Sequence, residues 1–226
     1  MQLVITRETR EELLGSHYYY SMRYEFCTVD YDVRPECDIP SMNDTSTFEI
    51  TLVEPSTKYQ DEFLHALDVC SLDDQRSLMY LGDDVDTQWP YNDFDAFVRQ
   101  VAESQLHPKP GWVNGKVWWA LADNAIVGRI GLRLELNDFL REIGGHIGYI
   151  TVPTFRGLGV ATSMLRQVLL MPDTQRLFPV LLTCDEDNVA SERVIVKCGG
   201  RFERFAESDG SSVRKKRFII SSIISP

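Results

Sequence analysis

The run Ile150 to Thr162, ITVPTFRGLGVAT, constrains the fold of this chain more than any other stretch. β-Branched residues typical of a strand lead into Arg156-Gly157-Leu158-Gly159-Val160-Ala161, and the apolar spacing of a helix follows. A strand, turn and helix of this kind can hold a phosphate. Glycine removes the Cβ that would keep backbone from ligand, and the first N–H groups of a helix face outward with partial positive charge. Arg156 adds a charge-assisted contact at the mouth of the turn. The stretch has neither the Gly-Lys-Ser/Thr ending of a nucleoside-triphosphate loop nor a third glycine at dinucleotide spacing.

A second motif lies downstream in Val180 to Gly200, VLLTCDEDNVASERVIVKCGG. A short apolar strand, Val180 to Cys184, is followed by Asp187-Asn188, then Ala190, Ser191, Val194, Ile195 and Lys197, and closes at Gly199-Gly200. Arg156, Gly159 and Ala161 match the pattern Arg/Gln-x-x-Gly-x-Gly/Ala, and the Asn-x-x-Ser/Ala helix with its Lys-x-Gly-Gly ending follows in the expected order. With the strand GGHIGYITVPTFR (Gly144 to Arg156), this resembles the GNAT superfamily of acyl-CoA-dependent N-acyltransferases over roughly residues 48 to 220.

The local patterns describe an α/β (α+β) architecture. Phe48 to Val53 alternates as a strand, Tyr59 to Cys70 carries Phe63, Leu64, Leu67 and Val69 near helical spacing, and Phe94 to Leu106 reads as a helix ended by Pro108. Val117 to Ala122 and Ile126 to Leu134 form a hairpin about Asp123-Asn124. His146 to Val152 is a central strand, Leu158 to Met171 a helix broken by Pro172, and Arg201 to Ala206 and Val213 to Ile220 close the chain around Ser208-Asp209-Gly210-Ser211. The order predicts one mixed, mostly antiparallel sheet of about six to seven strands with helices on both faces.

Residues 1–47 fall outside the resemblance and form an expected N-terminal packing arm, leaving 48–226 as the acyltransferase domain. The arm combines Tyr18, Tyr19, Tyr20, Tyr24 and Phe26 with an acidic run through Asp30, Asp32, Glu36 and Asp38. It is too aromatic to read as disordered and too short to read as a domain.

Composition removes several function classes. A net charge of -11 argues against nucleic acid and favours cationic small molecules or basic peptides at long range. No apolar stretch approaches the ~20 residues needed to span a bilayer, and the N-terminus lacks a secretory pattern. Five cysteines without paired spacing and histidines scattered at 17, 65, 107 and 146 predict a reduced, cytoplasmic protein without a metal. Cys70, Cys184 and Cys198 read as core filling.

The resemblance implies acetyl-CoA as acyl donor, with direct attack by an amine of a small molecule or peptide in a ternary complex. Ile150, Thr151 and Val152 would pair with the pantetheine arm. Arg156 and the backbone of Gly157, Leu158, Gly159, Val160, Ala161 and Thr162 would cradle the pyrophosphate, while Asn188 and Ser191 approach the arm from the next helix. Family members carry a tyrosine that protonates the departing thiolate; the matching position here is Ile195, which has no proton to donate. A homodimer is also compatible with the family.

The general base stays open at this point. His146 is the first candidate because imidazole titrates near neutrality, its alternative being a buried histidine bonded to backbone. Glu135 and Glu142 flank the preceding loop and are either proton acceptors or solvated residues. Trp118 and Trp119 must face opposite sides of their strand, so core packing accounts for at least one. Trp89, with Asp83, Asp84 and Asp86, lies in an acidic stretch that reads either as an acceptor wall or as a solvated loop. Two other functional classes stand beside the enzyme: a catalytically silent CoA-binding regulatory module, and an interaction protein acting through its arm.

Overall fold

The computed structural model describes residues 49–81, 85–207 and 213–222. The expected arm and the turn Ser208–Ser211 lie outside the described residues.

The chain runs β1 (Thr51–Val53), α1 (Gln60–Asp68), α2 (Leu72–Met79), α3 (Trp89–Asn92), α4 (Phe94–Leu106), β2 (Gly115–Ala122) and β3 (Ala125–Arg133). A π-helical turn (Leu140–Gly144) leads to β4 (Ile147–Thr151), then α5 (Val160–Leu170), α6 (Pro172–Arg176), β5 (Val180–Asp185), α7 (Val189–Lys197), β6 (Arg201–Ala206) and β7 (Lys215–Ile220). Pro172 does end α5, and it also opens α6 from a first-turn position where its missing N–H is no loss. Asp123 and Asn124 turn the β2–β3 hairpin with φ of 47° and 62°, the left-handed pair whose twist matches that of the flanking strands.

Among the described residues the seven strands pair antiparallel, in two hydrogen-bonded sheets of order β1-β2-β3-β4 and β5-β7-β6. The single expected sheet is therefore divided between β4 and β5. The two halves touch where the backbone N–H of His146, just ahead of β4, donates to Leu181 O near the start of β5 at 2.7 Å. Beyond that point β4 and β5 share no ladder.

Helices cover both faces. Trp118 turns toward a core with Ile130, Leu132, Met164, Leu165, Val168, Ile195 and Phe218, supplied by α5, α7 and β7. Trp119 turns the opposite way, toward Phe63, Leu67, Leu78, Phe97 and Val101 of α1, α2 and α4. Its ring lies 4.3 Å from that of Phe63, which in turn lies 5.3 Å from Phe97. Full burial of each such side chain stabilises the fold by about 1.5–3 kcal/mol. Both faces of the β2–β3 hairpin are thus packed into buried cores.

Candidate active site

The phosphate-holding turn has the geometry its glycines require. Gly157 and Gly159 sit at φ of 82° and 86°, where a side chain costs about 1–2 kcal/mol, and nothing lies within 4 Å of a Cβ built at either. Gly159 is the N-cap of α5, and no side chain caps that helix. Its first turn closes with Ser163 N–H to Gly159 O at 3.0 Å, leaving the amides of Val160, Ala161 and Thr162 ahead of the helical ladder. Beside them opens a depression of 570 Å³ lined by Gly159, Thr162, Ser163, Arg166, Gln167 and Lys197. Arg166 and Lys197 add two cations to the field of the helix end.

Arg156 is tied to two elements. Its Nη2 pairs with Asp74 Oδ1 of α2 at 2.6 Å, and its Nε donates to Thr151 O at 3.3 Å. Asp74 carries no sequence signal for a site, because α2 reaches the turn from 82 residues away. Cys70 stands near the same pair, and burial first and Asp74 second raise its thiol to about 11.

β4 is the last strand of its sheet, so its backbone groups point alternately to β3 and to the gap. Val152 N–H turns inward, donating to Val127 O at 3.0 Å, whereas Thr151 O turns out to Arg156. Across the gap, Asn188 caps α7 through Oδ1, accepting Ser191 N–H at 2.9 Å. The Ser191 hydroxyl lies 2.7 Å from the phenol oxygen of Tyr149, a half-buried β4 residue whose pKa burial raises to about 12. Tyr149 lay within the quoted strand motif but was not singled out, since alternation alone does not say which strand residue meets the following helix. Ile195 is fully buried in the core.

The three candidate bases have unequal surroundings. His146 Nδ1 accepts the backbone N–H of Leu181 at 2.9 Å, and burial lowers its pKa from the ordinary 6.5. The lone pair on Nδ1 is thus engaged, and in the neutral ring the other nitrogen carries the proton. Glu142 pairs with Arg204 at 2.6 Å, which holds its carboxyl below the usual range. Glu135 is exposed and has no partner among the described residues. Trp89 begins α3 and packs edge-on against Phe97, 6.2 Å between centroids; Asp86 caps the Gln88 amide, and Asp83 and Asp84 lie outside the described residues. Cys70, Cys184 and Cys198 are free thiols. Among the described residues no cluster of His, Cys, Asp or Glu could hold a metal, and no helix is long and apolar enough to cross a membrane.

The site thus combines an uncapped helix behind a two-glycine turn with a sheet split between β4 and β5. The sequence profile described as Acetyltransferase (GNAT) domain matches residues 51–201. The chain belongs to the GNAT acetyltransferase family, whose members draw the acetyl group from acetyl-CoA.

Solved structures agree on the fold. The Microcin C7 self-immunity acetyltransferase MccE, in complex with acetyl-CoA and AMP, superposes with a TM-score of 0.52 at 20% identity, over 78% of this chain and 93% of that one. RimJ of Mycobacterium smegmatis, in complex with CoA-disulfide, gives 0.53 at 18% identity over 76% and 81%. A Salmonella typhimurium acetyltransferase that modifies the N-terminal serine of ribosomal protein L7/L12 gives 0.52 at 16% identity over 80% and 97%. No curated protein matches the chain in sequence.

Proposed function

We propose that the domain moves an acetyl group from acetyl-CoA to an amine of a small molecule or peptide by direct attack in a ternary complex. The observation that carries this reading is the separation of β4 from β5 beyond the His146–Leu181 contact, opening toward the uncapped start of α5. The donor supplies an activated thioester.

On this reading the amides of Leu158, Gly159, Val160, Ala161 and Thr162 receive the pyrophosphate, with Arg156, Arg166 and Lys197 as counter-charges. The pantetheine arm lies along β4 over Ile150 to Val152. Ladder alternation leaves the outward backbone groups of Thr151 and Tyr149 to bond it. The reacting carbonyl then falls near Tyr149 and Gly148, with Asn188 and Ser191 on the opposite wall. The Tyr149–Ser191 hydroxyl pair takes the place of the tyrosine that Ile195 lacks, donating to the departing sulfur. Of the candidate bases Glu135 keeps its carboxylate free and serves through water, whereas His146 acts as a clamp between the sheets.

Release of free thiol from acetyl-CoA in the presence of an amine panel tests transfer. The buried Ile195 favours a second reading, a silent CoA-binding module, for which acetyl-CoA binds and no amine raises thiol release. Free thiols at Cys70, Cys184 and Cys198 support a cytoplasmic setting for either.

A further inference from the structure

Arg129, Gly131 and Arg133 occupy one side of β3, and the ring of Tyr80 lies over Gly131 with the Arg129 guanidinium 4.8 Å from its centroid. Arg129 is buried, at 7% exposure. It donates through Nε to Ser77 O at 2.9 Å, through Nη2 to the same oxygen, and through Nη1 to Gly148 O at 3.3 Å. Arg133 donates through Nη1 to Gly144 O and Gly145 O at 3.1 and 3.0 Å. Among the described residues neither arginine has a carboxylate partner. Backbone carbonyls satisfy donors but do not neutralise charge, so among the described residues these two adjacent cations have no compensating carboxylate.

Beside them β4 presents a position without a side chain, Gly148. Gly148 faces Gly131 across the ladder, on the strand that borders the gap. A Cβ at Gly148 would meet nothing nearer than Nη1 and Nη2 of Arg133, both at 3.8 Å. The missing side chain leaves a notch on β4 roofed by a guanidinium fork, the geometry that receives a carboxylate or phosphate.

We propose that Arg133, backed by Arg129, forms over Gly148 a subsite for an anionic group, carboxylate or phosphate, that the acceptor carries near its amine. The assignment rests on the proposed transferase reading, in which the reacting carbonyl falls near Tyr149 and Gly148. The acidic surplus of the whole chain repels such an acceptor at long range, so selection is local and made on contact. The same two cations disfavour the ammonium form of the incoming amine, which eases the deprotonation that attack requires.

The test is calorimetric titration of three peptide amides, Gly-Glu-Gly, Gly-Gln-Gly and Gly-phosphoserine-Gly, into the full chain saturated with CoA. The wild type binds at least one anionic peptide about tenfold tighter than the glutamine twin, and the tighter of the two names the source of the charge. Arg133→Gln abolishes the preference while its affinity for CoA, the check on folding, stays within about twofold. Gly148→Ala, whose added methyl meets only ordinary contacts, abolishes it as well by filling the notch. Equal affinity for all three peptides, no binding of any, or a preference that survives in both variants overturns the subsite. Thiol release is scored separately: peptide selectivity without turnover leaves the subsite standing and removes the transferase reading.

Discussion

His146 and Leu181 hold each other by two bonds, the backbone N–H of His146 to Leu181 O at 2.7 Å and the backbone N–H of Leu181 to the imidazole Nδ1 at 2.9 Å. They join the sheets at the closed end of the gap. Truncation to alanine strands a half-buried amide, at a cost of about 1–3 kcal/mol. His146→Ala is expected to lower Tm by several degrees, and His146→Asn, which restores an acceptor, to recover both Tm and turnover. An asparagine variant that folds well yet has no activity would return His146 to the role of base.

Burial of the same imidazole makes stability depend on pH. Burial depresses the folded-state pKa of His146 below 6.5, while the unfolded chain protonates near 6.5. The unfolded state therefore binds more protons just below that value, and the contribution present above 6.5 is lost as pH falls through the folded pKa. Denaturant midpoints between pH 7.5 and 5.5 should fall more steeply for wild type than for His146→Asn; parallel curves would speak against the link.

Tyr149→Phe removes the phenol that meets Ser191 while keeping the ring. If the hydroxyl pair donates to the sulfur, kcat falls by about tenfold or more and KM for acetyl-CoA changes by less than about threefold. A rise confined to KM would assign the pair to positioning the arm.

On the proposed reading Asp74 competes with the pyrophosphate for Arg156, with which it pairs at 2.6 Å. The pair is half exposed on the arginine side, so it is worth at most about 1 kcal/mol. Asp74→Asn should tighten acetyl-CoA by up to about fivefold at low salt, an effect that fades in high salt. Weaker binding would mean that Asp74 orients Arg156 instead.

Glu135→Gln is expected to cut kcat by about tenfold to a hundredfold, with Tm unchanged because the side chain is exposed and has no partner among the described residues. An unaltered kcat leaves deprotonation to the solvent and to the field of Arg129 and Arg133.

Much of this was legible in the sequence because it is local. The β-branched strand, the two glycines and the apolar helix at Ile150 to Thr162 are adjacent in the chain, and so are Asn188 and the amide it caps. Asp123-Asn124 announced its hairpin through the residues that tolerate positive φ. What escaped is non-local or weakly patterned. α2, Leu-Asp-Asp-Gln-Arg-Ser-Leu-Met, carries too few apolar residues to show a period, so Asp74 had no place in the reading. The division of the sheet depends on a side chain intervening in a ladder, and Arg129 and Arg133 looked like ordinary strand residues until Tyr80 was brought over them.

The central claim, that the turn at Gly159 receives the pyrophosphate of acetyl-CoA, is tested most directly by calorimetric titration of acetyl-CoA into wild type and Gly159→Glu. The account predicts one-to-one binding by the wild type. In the variant, a side chain forced into positive φ and a carboxylate aimed at the same open space should weaken it by a hundredfold or more, or about 3 kcal/mol. Equal binding by the two proteins, or none by the wild type, would contradict it.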